Sequence, residues 1–466
     1  MTRRIYGAAV VVALLAAVTG CSDDEEMPIA PARTSTTVAT TVTIPSTTTR
    51  APAPVTTVDP TSSTTTTAAP GIDPLDAWAL AYTGGTAGPA AGEPIRIGYA
   101  NQEDLFPEAT DGAVAAVTYL NARLGGIEGR PVELVTCRIA TADDGGRCGR
   151  QFADDGTVAL VITGTIVSGN RAFYDALQGV KPVLIGNGVT PDDLTTPVGV
   201  AYSIGSIGLI PALAIAATTL LDPRPSTAVI LHSDTAARQV AAETLLVPVF
   251  TAAGVPTTLV PLADDATVDD VVAALQSVGA TDVVIPLVNV QTCINTYDAL
   301  RALALSPVVV APSLCQARAM GDHLAAIGAG GPVPDGWYVV GSGYNVFDPD
   351  LESGMQTYVR TIGEHAQASG RAVDPSGFAG PVFANVLTAA RILGDVGVDT
   401  LDVATLDGAV RSFPGPMMLQ AGDIACGVPP YIAACGHFAG VHQYSDGAWV
   451  AIADGTNGRA IDVRAG

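Results

Sequence analysis

Aromatic side chains make up only 5 % of this 466-residue sequence, and bases are as scarce, with 22 Lys and Arg against 45 Asp and Glu for a net charge of −23. A surplus of that sign excludes nucleic acid and anionic membrane surfaces as charge-matched partners. No C-x-x-C spacing occurs and the five histidines are scattered, so neither a metal nor another cofactor is expected. G-x-S-x-G, G-x-x-x-x-G-K-[ST] and H-E-x-x-H are all missing. His232-Ser233-Asp234 carries the residue types of a hydrolytic triad, but neighbours on one strand end cannot form its directed relay. The acid pairs Asp143-Asp144, Asp154-Asp155, Asp264-Asp265 and Asp269-Asp270 suit helix starts and turns better than paired catalysis. The chain reads as a non-enzyme. Bilayer-length apolar runs are lacking too: Tyr6 to Gly20 falls short of the roughly 20 residues a span needs, and the short run from Gly208 to Leu221 carries Pro211 and suits a core helix.

What the first residues do contain is informative. Arg3 and Arg4, the short apolar run and small residues before Cys21 form a secretory leader, and V-T-G-C at Val18 to Cys21 resembles the lipobox of bacterial lipoproteins. Residues 1–21 are therefore expected to be a signal peptide with lipid attached at Cys21, which places the rest outside the cytoplasm, anchored to the cell membrane. Residues 22–93 read as a linker, because from Met27 to Gly71 Thr, Pro, Ser, Ala and Val dominate and too little apolar surface is available to offset ordering entropy. At about 3.1 Å per extended residue such a tether reaches on the order of 200 Å, and its hydroxyl density suits O-glycosylation.

With Cys21 set aside, six cysteines remain as sequence-local pairs: Cys137 with Cys148, Cys293 with Cys315, and Cys426 with Cys435. An exported compartment favours oxidation, and neighbours in sequence close the least costly loops.

The folded body begins near Pro94. Hydrophobic residues reach 48 %, and β-branched strands such as Ile95–Ala100, Val132–Cys137, Ala159–Thr163, Pro182–Gly186, Ala228–His232, Asp282–Leu287 and Val308–Ala311 alternate with helical patterns such as Gly112–Leu124, Ala237–Ala252 and Val268–Val278. This is α/β patterning with parallel sheets, and about 370 residues of it exceed one ordinary domain.

Within that frame, D-G-A-V-A-A-V-T-Y-L-N-A-R-L-G-G-I-E-G-R-P-V-E-L-V at Asp111 to Val135 resembles the N-terminal signature of the type I periplasmic binding proteins of the leucine/isoleucine/valine-binding group. Pro182 to Pro191, Phe383 to Leu393 and the hairpin-like His442 to Val450 extend the resemblance over nearly the whole body. It implies two Rossmann-like lobes joined by a three-crossover hinge, with lobe 1 at about 94–211 and 344–414 and lobe 2 at about 212–343 and 415–466. It also implies a lipid-anchored solute-binding receptor of an ABC importer, partnered by permease subunits and binding a small amino-acid-like, amide or carboxylate ligand. A ligand sensor of the same fold without transport is the alternative.

The resemblance places a ligand's polar head at Thr165, Ser168, Gly188 and Thr190 of lobe 1, beside Gln102, where free helix-start amides and hydroxyls form a carboxylate cradle. Ser168 as an N-cap and Thr190 as a turn residue are the structural alternatives. Ser233, Asn289 and Gln316 are the lobe 2 candidates. There the sequence departs from the family: Thr235-Ala236-Ala237 stands where a covering aromatic belongs, and Pro312 to Gln316 where an acid holds the ligand's ammonium. Glu103 or Asp234 remain as displaced carboxylates, and branched-chain amino acids are not expected as preferred ligands. Cys293 with Cys315 would either set the direction of Asn289 and Gln316 or act as a surface staple.

Overall fold

The computed structural model describes residues 71–341, 345–346, 352–400, 402–420, 423–429, 431–450 and 459–464. Cys21, the leader and the linker up to residue 70 lie outside the described residues.

Two sheets organise them. The first comprises β1 (Ile95–Asn101), β2 (Val132–Arg138), β3 (Val158–Thr165), β4 (Val183–Asn187) and β5 (Gly199–Val200), all parallel in the order β2-β1-β3-β4-β5. The second comprises β6 (Ala228–Ser233), β7 (Thr257–Leu262), β8 (Val283–Leu287), β9 (Val308–Pro312), β10 (Tyr338–Gly341), β11 (Phe438–Ser445), β12 (Ala448–Val450) and β13 (Arg459–Asp462). Its order is β12-β11-β10-β9-β8-β6-β7, with β13 on β11; β10 and β11 run antiparallel. The β11–β12 hairpin turns at Asp446 (φ 53°) and Gly447 (φ 78°), the positive-φ pair that a two-residue hairpin loop requires.

Both sheets are covered on both faces, which is why their strands read as near-continuous apolar runs. Ile95, Ile97 and Tyr99 of β1 pack toward the helices Pro107–Arg123 and Ala379–Val396, while Ala100 faces Phe152 and Phe173 of the helices Ala142–Asp154 and Asn170–Leu177. In the second sheet Ala228 and Ile230 meet the helix Gly205–Thr219, and Val229 and Leu231 meet the helices Val268–Val278 and Val290–Ala302. The run around Pro211 is therefore a core helix, and no helix among the described residues is long and apolar enough to cross a membrane.

Two boundaries differ from expectation. The stretch assigned to the linker contains the helix Pro74–Thr83, capped by Asp73, stacking Trp78 on Tyr82 and burying Ala79. Arg360 holds it by pairing with Asp73 at 2.6 Å and with Asp76. The chain also returns to the second sheet only at about 436, not 414. Met417, Met418 and Leu419 fill the first lobe's core, Met418 N donates to Tyr82 Oη at 3.1 Å, and Ala433 N donates to Leu194 O at 2.9 Å. Met417, Met418 and Leu419 share one buried cluster with Ala79, with Trp78 and Tyr82 packed against it, and this holds the segment on lobe 1. The returning strand lies against the outgoing one, with Ala201 N to Ala433 O and Cys435 N to Ala201 O both at 2.7 Å.

Disulfides join Cys137–Cys148, Cys293–Cys315 and Cys426–Cys435.

Candidate functional site

In each sheet, connections diverge between the first strand and the strand two later: β1 and β3 in one, β6 and β8 in the other. Crevices outside the carboxyl ends of strands at such switch points are where open α/β sheets bind ligands. Two adjoining cavities of about 180 and 800 Å³ lie there, sharing Ser206, Ile210, Arg238 and Phe378 in their walls. Phe106 follows β1, Val167 follows β3, Arg238 follows β6 and Val288 follows β8, so all four connections reach the cleft. Phe106 and Phe378 pack edge to face, 4.9 Å between ring centres, and form an aromatic floor on lobe 1.

The residues expected to hold a ligand are mostly spent on holding loops. Gln102 Oε1 accepts from Val167 N at 2.9 Å and its Nε2 donates to Ser168 Oγ at 3.3 Å, while Asn101 Oδ1 accepts from Thr165 N at 2.9 Å. Two amides of the expected cradle are thus filled from within. Gly164 is required here, since a Cβ would stand 2.6 Å from Tyr99 Oη. Thr165 is fully buried, its hydroxyl accepting from Asn187 Nδ2 at 2.9 Å. Ser168 precedes the cap of the next helix, which is Gly169. Thr190 caps the short helix Pro191–Thr195 in a reciprocal box with Asp193, and Gly188 offers its carbonyl to Ser206 N at 2.8 Å.

The lobe 2 candidates behave alike. Asn289 caps Val290–Ala302, accepting from Thr292 N at 2.9 Å and donating to Asp264 O at 2.6 Å. Gln316 donates to Asn345, and the carbonyl of Ser233 meets His232 Nδ1 at 2.9 Å. None of the eight lines either cavity; their neighbours Val167, Val189 and Val288 do. The Cys293–Cys315 bond is fully buried rather than superficial, and it fixes the turn whose Ser313 and Leu314 form cleft wall. Glu103 is engaged by Asn101 Nδ2 at 3.0 Å and by Thr110.

Arg238 is the residue that sequence reasoning missed. It lies one position beyond Thr235-Ala236-Ala237, half-buried, and desolvation draws its guanidinium below the usual arginine value while Asp264 pulls it back up. In a chain so poor in bases, a lone Arg just after a cleft-directed strand was the available signal.

This two-lobed arrangement has known counterparts. A substrate-binding protein from Sphaerobacter thermophilus superposes with a TM-score of 0.60 at 18 % identity, covering 77 % of this chain and 96 % of its own. The fold is that of the type I periplasmic binding proteins. A branched-chain amino acid transporter substrate-binding protein from Streptococcus pneumoniae, in complex with isoleucine, shares the type I fold at a TM-score of 0.55 and 10 % identity over 79 % of this chain and 99 % of its own. A solute-binding protein from Rhodopseudomonas palustris BisB5, in complex with 3,4-dihydroxy benzoic acid, shares it at 0.57 and 15 % over 77 % and 95 %. No protein-family model matches the sequence, and a comparison with curated proteins finds no match.

Proposed function

We propose that this chain is the solute-binding receptor of an ABC importer, non-enzymatic, anchored outside the cytoplasm by lipid on Cys21, closing two lobes on a small molecule for delivery to permease subunits. The observation that carries the reading is the cleft itself: a cavity at the switch points of two parallel sheets, walled by all four diverging connections. Lobes joined by short crossings can close on a ligand that makes better contacts in the closed state than in the open one. Of the neighbours described above, one holds isoleucine and another 3,4-dihydroxy benzoic acid, both carboxylic acids, and a small carboxylic acid is the class we extend to this cleft. The lobes divide near 204, between 341 and 352, and near 436.

The test is a thermal-shift screen of amino acids, amides, sugars and small carboxylates, followed by small-angle scattering of the hits. A ligand that binds only the native state raises the melting temperature and shrinks the particle as the lobes close. A broad screen with no stabilising compound would remove the receptor reading.

A further inference from the structure

The charge of the cleft discriminates among carboxylic acids. Among the described residues lining the two cavities, Arg238 alone is ionisable to a full charge at neutral pH; neither wall contains an Asp or Glu. Its guanidinium has no hydrogen bond or ion pair with any described residue, although it lines both cavities from the loop after β6. Asp234, four residues before Arg238, lines neither cavity, and Asp264 acts on Arg238 only through space. Glu103 is held by Asn101 and Thr110, Asp193 by Asn170, Tyr174, Val189 and Thr190, and Asp264 contributes no surface to either wall.

A partly desolvated, unpaired guanidinium is a standing cost that a carboxylate relieves with two parallel charge-assisted hydrogen bonds. An ammonium in the same space would meet a like charge and no carboxylate in either wall, so its desolvation would go without a direct partner. The remaining walls are apolar, with Phe106 and Phe378 on one side and Ile207, Ile210, Leu287 and Leu314 on the others. Asn187, Ser206, Ser313 and Ser376 add neutral polar groups suited to a hydroxyl or carbonyl substituent.

We infer that the ligand is a monocarboxylate with an aromatic or branched apolar body and no ammonium group, its carboxylate paired with Arg238. The inference rests on the receptor reading and narrows it: polarity is reversed relative to the sequence expectation, with the anion on lobe 2 and the apolar body against lobe 1.

Isothermal titration of the purified chain, freed of bound solute by reversible unfolding, tests this with matched probes: benzoate and benzamide, 4-methylpentanoate and 4-methylpentanamide, and leucine, which is 4-methylpentanoate bearing an ammonium. One or both acids should bind at least tenfold more tightly than the matched amide and than leucine. Arg238→Gln should weaken the acid at least tenfold, leave amide binding and melting temperature unchanged, and be partly rescued by Arg238→Lys. Leucine binding as tightly as 4-methylpentanoate, acids indifferent to Arg238→Gln, or a ligand from the wider screen that carries no carboxylate would overturn the inference while leaving the receptor intact. Failure of every compound in that screen would remove both.

Discussion

The phenolic hydroxyl of Tyr174 donates to Oδ1 of the buried Asp193 at 2.7 Å, and Asn170 Nδ2 donates to the same oxygen at 2.7 Å. Oδ2 accepts the amides of Val189 and Thr190 and the Thr190 hydroxyl, each at 3.0 Å. One carboxylate thus ties the helix after β3 to the loop after β4, the loop that carries Val189 into the cleft. Burial raises the pKa of both partners, Asp193 above the usual carboxylate value and Tyr174 well above the usual phenol value. Tyr174→Phe should cost about 1–3 kcal/mol by urea unfolding. Asp193→Ala should cost more, because it strands several buried donors at once. Equal stability of Tyr174→Phe and wild type would show that the bond is not contributing.

At Asp144 the amides of Ala140 and Thr141, at 3.1 and 2.9 Å, hold the carboxyl at about 2, below its ordinary 3.8. A depressed folded pKa means that the ionised form supports the fold. The contribution is present above about pH 4 and is lost as pH falls toward about 2. Asp144→Asn should therefore flatten the fall in melting temperature across that window, and an unaltered acid limb would refute the assignment.

Gly205 begins the first crossing with φ +63°, and a Cβ there would collide with the carbonyl oxygen of Gly188. Gly254 has φ +74° but open space around it. Gly205→Ala should lose about 2 kcal/mol or more, and Gly254→Ala about 1, from left-handed strain alone. Chemical denaturation of the pair separates the close approach from the backbone term; equal losses would show that the collision is relieved at no cost.

Replacing Cys293 and Cys315 together by Ser should lower stability by about 2–4 kcal/mol, since the bond closes a 22-residue separation and is fully buried. Reductant, which opens all three bonds, should lower the melting temperature of wild type by more than that of the variant. If reductant leaves wild type unmoved while thiol titration shows the bond open, the staple is not stabilising.

Cys21→Ala should move the protein from the membrane fraction to the soluble extracytoplasmic fraction, because the thiol is the only acyl attachment point that V-T-G-C offers. Retention in the membrane fraction would sink the lipid anchor.

The fold was legible because a strand buried on both faces has a simple signature: β-branched runs such as A-V-I-L at Ala228 to Leu231 read the same whichever helix covers them. The site was less legible, since a hydroxyl near a strand end serves a ligand or a loop depending on its partner. Thr190 illustrates this, for its partner stands three residues on, and T-P-D-D was readable as a reciprocal cap. Arg238 escaped because the family's pattern directed attention to the aromatic missing just before it. The return at 436 had no periodicity to mark it; Met417 to Leu419 lie in lobe 1 through long-range packing alone.

The Pro74–Thr83 helix is welded to the first lobe by Arg360, by Tyr82 Oη 2.8 Å from Thr388 Oγ1, and by Met418 N donating to that same Oη. On the proposed anchoring, tension arriving through the residues before that helix is delivered to the first lobe. On the proposed lipid anchoring and lobe closure, the second lobe, which carries Arg238, moves without doing work against the segment before that helix, so the energetics of closure should be the same for the membrane-bound protein as for Cys21→Ala.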